Sequence, residues 1–219
     1  MGRPERPAGA ADRGGTMTAL TTWSASDPTT TTGSTVDRPE IESVLRALGF
    51  RLERWPLAPG LAPDAPAEDV LAAYRDLIEG LVSAEGFVEV DVAALHPTGQ
   101  PAFAATAAAA RAKFLAEHTH ADDEVRFFAA GRGVFYLHTR DEARGEEVHA
   151  VLCEAGDLLF VPAGTTHWFD MGTEPSFTAV RFFRDPEGWV GDFTGSDLAT
   201  QFPDFDALAA QADAVTAGA

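Results

Sequence analysis

Apolar positions follow two regimes along the chain, with the change near Leu115. Before it the spacing is helical. Ile41, Val44, Leu45 and Leu48 recur at three and four residues behind Asp37, a residue suited to cap a helix whose first turn holds Pro39, and Gly49 stops the run. Val70, Leu71, Tyr74, Leu77, Ile78 and Leu81 form one stripe of a second helix predicted over 67–84 and ended by Gly86. The Ala-rich stretch 103–114 predicts a third helix, and 50–55 and 87–95 have strand character. After Leu115 come short β-branched and aromatic runs punctuated by Gly, Pro and Asp. They predict strands over 125–129, 133–138, 148–153, 157–161, 166–170 and 177–183, a set that closes most naturally into a sandwich or jelly-roll barrel. The fold class expected is mainly β, with a few N-terminal helices.

The first 36 residues are rich in Gly, Pro, Ala, Thr and Ser, including the run Thr29 to Thr32. They are predicted to be a flexible extension with a candidate first strand at 17–23. Residues 37–205 are expected to form one domain and 206–219 a C-terminal tail.

Charge narrows the partners. Acidic side chains number 34 and basic ones 16, for a formal charge of −18, which repels nucleic acid and anionic lipid. A small-molecule partner and a monomer are expected instead. No apolar run reaches the length of a membrane span, and Cys153 is the only cysteine, so no internal disulfide is possible and a cytoplasmic setting fits. Cys153 reads as a small buried hydrophobe.

Two local patterns carry chemistry: His118-Thr-His120-Ala-Asp-Asp-Glu124 followed by Gly131, and Gly156 through Pro162 and Gly164 to His167. His118 and His120 project from the same face of a strand. Glu124 keeps that parity, but four straight strand residues span about 13 Å, while donors on one metal lie roughly 2 Å from it. The chain must therefore turn within Ala121 to Asp123, whose small and polar side chains suit a turn. His167 can fold back onto the first strand. Three imidazoles and a carboxylate suit a transition metal rather than Ca or Mg, and leave two octahedral positions for a chelating substrate. Ordinary barrel histidines are the bland alternative, but three of the six histidines fall in these two spacings. His96, His138 and His149 read as surface residues. Arg126 shares the parity of Glu124 and is a candidate to face an anion in the same cavity; Arg181, on a strand face with Phe177, Ala179 and Phe183, is the second. A salt bridge to an acid is the competing role for each. Phe114 and Phe169 have the parity to wall the pocket, though core packing is the better reading from periodicity alone.

The two patterns, His-x-His-x3-Glu-x6-Gly and Gly-x5-Pro-x-Gly-x2-His, resemble those of the cupin superfamily, so the barrel expected is a cupin jelly roll. Ala112 stands where the first pattern often opens with Gly, and Met171 where the second often ends in Asn. The segments EHTHADDEVRFFAAGRGVFYLH, LCEAGDLLFVPAGTTHWFDMG and FTAVRFFRDPEGWVGDFTG resemble the acireductone dioxygenase family of methionine salvage. That resemblance implies one Fe(II) or Ni(II) per chain on His118, His120, Glu124 and His167. It also implies cleavage of 1,2-dihydroxy-3-keto-5-methylthiopentene by O2. The Fe form gives formate and 4-methylthio-2-oxobutanoate; the Ni form gives formate, carbon monoxide and 3-methylthiopropanoate. It supports Arg126 as the enolate-stabilising residue and matches Trp189 to a pocket aromatic. Another small-molecule cupin dioxygenase, a metal-dependent isomerase and a non-catalytic ligand-binding cupin are the alternatives.

Overall fold

A single 18-residue strand, Glu124–Asp141, ties the two halves of the molecule together. The computed structural model describes residues 17–143, 145–185 and 190–218. In chain order its elements are β1 (Ala19–Ser24), β2 (Asp27–Thr35), α1 (Arg38–Ala47), β3 (Arg51–Arg54), α2 (Ala67–Ala73), α3 (Arg75–Glu85), β4 (Glu89–Leu95) and α4 (Pro101–Leu115). They continue with β5 (His118–Thr119), β6 (Glu124–Asp141), β7 (Gly145–Glu154), β8 (Asp157–Val161), β9 (Thr166–Asp170), β10 (Phe177–Phe183), β11 (Asp192–Phe193) and α5 (Phe205–Gly218).

The start of β6 pairs with β8 and β10, and its later half with β7 and β9. One sheet therefore runs β4-β10-β6-β8-β3 and the other β11-β5-β9-β6-β7-β1-β2, all antiparallel and sharing β6. Predicted strands 125–129 and 133–138 are thus one strand. The change of sheet comes at Gly131, whose φ of 71° places it in the left-handed region, beside a register shift in the pairing with β10. A Cβ at Gly131 would run into the Ser176 carbonyl oxygen and lie 2.7 Å from Phe177 Cα.

The closed barrel expected from the sequence is not what forms. The fold is a mixed helix-and-sheet cupin-like architecture, and among the described residues no pairing joins the free edges of the sheets. The end strands of the smaller sheet, β3 and β4, have α1 and α2 packed against them, so helices partner the elements that closure would need.

Both faces of β6 are apolar, which is why its runs are so rich in aromatics. Phe128, Phe135 and Leu137 point into the core between the sheets. Phe127 packs outward with Trp55, Tyr74 and Phe182, and Tyr136 packs outward with Trp23, Trp168 and Phe202. Helix α1 forms as predicted, with Asp37 accepting from the Glu40 N–H and Ile41 and Leu45 buried. The single helix predicted over 67–84 is instead two, broken at Tyr74, whose ring is buried against Phe127 at 4.7 Å.

On the N-terminal side, the candidate strand at 17–23 is present as β1. Residues 1–16 lie outside the described residues, but 19–35 form a hairpin laid on β7, with Leu20 opposite Val151 and Trp23 opposite Val148. Burial of Leu20 and Trp23 offsets the ordering that the Thr-rich composition argued against. The segment expected to be a C-terminal tail is the helix α5, which buries Leu208, Ala209 and Ala212. His149, expected at the surface, is 2% exposed between the Thr22 and Thr139 hydroxyls. His138 is partly buried against Glu117, and His96 bonds the Thr178 and Ser176 hydroxyls. Cys153 is buried, and burial pushes its thiol well above the usual value.

Candidate metal centre

His118 and His167 are brought opposite each other by the pairing of β5 with β9, where His167 is also in register with Leu137 of β6. Between His120 and Glu124 the chain makes the expected turn. Asp122 holds it by accepting from the N–H groups of Asp123, Arg184 and Asp185, while Asp123 accepts from Ala163 N. One donor atom from each of His118, His120, Glu124 and His167 falls within 4.8 Å of all the others.

The tautomers follow from the partners. The Nδ1 of His118 faces the Ala116 carbonyl at 2.7 Å, that of His120 the Val190 carbonyl at 3.0 Å, and that of His167 the Thr165 carbonyl at 2.8 Å. A carbonyl only accepts, so each Nδ1 carries the proton and donates, and each Nε2 presents a lone pair. Glu124 Oε2 then lies 2.9 Å from His167 Nε2 and 3.0 Å from His120 Nε2, acceptor against acceptor. Such a cluster calls for a cation between the atoms. Two donors at a right angle on an ion with bonds of about 2.1 Å stand about 3 Å apart, so the spacing fits a transition metal. The donor set of three neutral imidazoles and one carboxylate is consistent with a mononuclear iron or nickel site.

Electrostatics support the same charge state. Burial opposes ionisation of Glu124, but the adjacent Arg126 guanidinium favours it, and the carboxyl is held well below its usual range. Burial pushes His118 down, favouring the neutral ring a metal needs. Burial also lowers His120, but Glu124 outweighs it and raises that ring, an effect a cation at the same point would oppose.

Beside the donors is a cavity of about 370 Å³. Arg126 enters it with Nη2 2.8 Å from Glu124 Oε1, and burial lowers its pKa, with Arg181 adding to the effect. Arg181 stands directly opposite Arg126 on β10 and directly opposite Asp91 on β4. Its guanidinium is paired with both Asp91 oxygens, with Nε 2.6 Å from Oδ1. The two arginines therefore differ: Arg181 has a dedicated carboxylate, whereas Arg126 shares Glu124 with the metal donors. Phe114 and Phe169 both line the cavity, edge to face at 6.4 Å. Trp189 lies outside the described residues.

A family model described as the ARD/ARD' family matches residues 34–191. The chain belongs to the ARD/ARD' family. Acireductone dioxygenase of Frankia alni is 64% identical over 193 residues, covering 88% of this chain and 91% of that protein. Acireductone dioxygenase of Saccharopolyspora erythraea is 52% identical over 195 residues, 89% of this chain and 99% of that one. A solved acireductone dioxygenase from Bacillus anthracis, with a cadmium ion in its active center, has the same fold at a TM-score of 0.67 and 24% identity. It is matched over 82% of this chain and 99% of its own.

Several features of this ARD/ARD' family member escape sequence reasoning. The three carbonyls that orient the imidazoles are backbone atoms and carry no residue signature. Val190, Gly191 and Phe193 form a strap over the donors, with Phe193 5.6 Å from the His118 ring. The strap is pinned where Thr194 donates to Glu117, whose other oxygen faces His138. A carboxylate one residue before the first ligand was the available hint. Asp91, the partner of Arg181, lies on a strand predicted without reference to the site.

Proposed function

We propose that the protein binds the acireductone 1,2-dihydroxy-3-keto-5-methylthiopentene in the cavity beside the four donors and cleaves it with O2. The Fe(II) form yields formate and 4-methylthio-2-oxobutanoate, the methionine precursor. The Ni(II) form yields formate, carbon monoxide and 3-methylthiopropanoate. The observation that carries this reading is the convergence of three Nε2 lone pairs and one carboxylate on a pocket that is charged at the donors and aromatic beyond them.

His118, His120, Glu124 and His167 would hold one ion per chain. When bound, the ion supplies the Lewis acidity that favours the ionised enediol. The rest falls to the side chains. Arg126 is the cation placed to hold the enolate oxygen, since its one carboxylate partner is also a metal donor and leaves it the least neutralised. Arg181, paired with Asp91, places a second guanidinium opposite Arg126 at the cavity wall. Phe114 and Phe169 line the aromatic part of the cavity and exclude water from it. All four donors come from one chain, so a monomer suffices.

The test is anaerobic reconstitution with Fe(II) or Ni(II), followed by acireductone and O2. Formate is expected from both forms, ketoacid from the iron form and carbon monoxide from the nickel form. Absence of O2 uptake in both would overturn the proposal.

A further inference from the structure

Phe169 stands two residues beyond His167 on β9, paired with Phe135, so its backbone lies about 7 Å deeper along the strand than the metal donor. Its ring reaches further still and lies on Gly133 of β6. A Cβ built at Gly133 would be 2.5 Å from Phe169 Cε2 and closer to Cζ. Carbon atoms in contact stand about 3.5–4.0 Å apart, so the ring occupies the place of a side chain. The backbone does not explain the residue. Gly133 is not among the glycines with positive φ, unlike Gly131 two positions earlier, and it sits inside a strand opposite Cys153, where glycine is ordinarily unfavourable. Its use here is space.

That space decides the shape of the cavity. The Phe169 ring is backed by Phe135 at 4.7 Å, Phe177 at 5.8 Å and Phe128 at 6.4 Å. Neighbours this close leave the cavity as the direction in which the ring can yield. We infer that Gly133 is a positioning residue that sets how long a substrate side chain the pocket admits, by letting Phe169 lie back from the apolar end. This rests on the dioxygenase reading above. With the oxygen-bearing end of the substrate at the metal donors and Arg126, the thioether chain extends toward Phe169, Phe177 and Met171.

The experiment compares O2 uptake by native protein and Gly133→Ala, each loaded with the same ion, on two acireductones. One carries the methylthioethyl substituent and the other a methyl group in its place. Gly133→Ala is expected to lose at least about ten-fold in kcat/KM on the long substrate, chiefly through KM, and under about three-fold on the short one. Phe169→Leu added to Gly133→Ala is expected to restore the long substrate selectively. Equal losses on both substrates, or no rescue, would overturn the inference. If Gly133→Ala does not fold, Phe169→Leu alone must raise the preference for a substrate longer by one methylene, and an unchanged preference counts against the idea. A crystal structure of Gly133→Ala adds a readout independent of turnover. A Phe169 ring still in its native place sinks the inference, whereas native protein inactive on both substrates sinks the dioxygenase reading.

Discussion

Around the donors, single atoms decide the chemistry. The Nδ1 protons are committed to carbonyls, so removing one imidazole removes an Nε2 that no other side chain among the described residues replaces. His167→Ala is expected to lose bound metal and activity together, each by at least about 100-fold in affinity or rate, read by metal analysis and O2 uptake. Full metal content in that variant would remove His167 from the ligand set. Arg126→Ala separates binding from turnover, because it leaves the four donors intact. Metal content should hold while kcat falls about 100- to 1000-fold, with Arg126→Lys intermediate because an ammonium lacks the guanidinium fork. Wild-type rates in Arg126→Ala would end its role.

Elements are held to one another by a few buried charges. Asp170 at the end of β9 is fully buried and accepts from Arg111 of α4, from Gly172 N and from Phe205 N at the start of α5. Burial raises its pKa, but the hydrogen bonds and charge of Arg111 and the two amides outweigh that and leave it lowered. A carboxyl depressed in the folded state stabilises above its unfolded pKa of about 3.9 and ceases to as pH falls through the folded value. Urea unfolding should therefore show native stability falling as pH drops below about 4, and Asp170→Asn should flatten that slope. The same variant should lose about 1–3 kcal/mol at neutral pH, because Arg111 loses its two-pronged partner and keeps only the longer contact to Asp204 at 3.5 Å. An unchanged slope would mean that other carboxylates set the acid limit. Of the elements themselves, β7 to β10 were legible because each is a short apolar run bounded by Gly, Pro or Asp. Strand β6 was read as two because Gly131 looks like a terminator when its partners on β10 are unknown.

For the molecule as a whole, the N-terminal hairpin and the segment before α5 meet on the outer face of the larger sheet. Trp23 of the N-terminal hairpin packs edge-on against Phe202, 5.6 Å away, just before α5. Trp23→Ala should cost about 3–5 kcal/mol. A double-mutant cycle with Phe202→Leu should show coupling of about 0.5–1.5 kcal/mol by denaturant midpoints. Strict additivity would mean that the two segments fold against the sheet independently. Metal content in the folded fraction should survive both changes, since neither ring lies among the donors.

The four-donor cluster was legible in the sequence because much of its constraint is local. Two histidines at strand spacing, a turn and a carboxylate, then a Gly-Pro-Gly corner before a third histidine, encode their geometry within a few residues of chain. The N-terminal helix signals were local for the same reason. Pairings between distant segments were decided only in three dimensions: helices packed at the edges of an unclosed sheet, Asp91 against Arg181, Phe169 lying on Gly133, and the carbonyls that fix each imidazole. Each depends on register and side-chain reach across strands, which residue order alone does not contain.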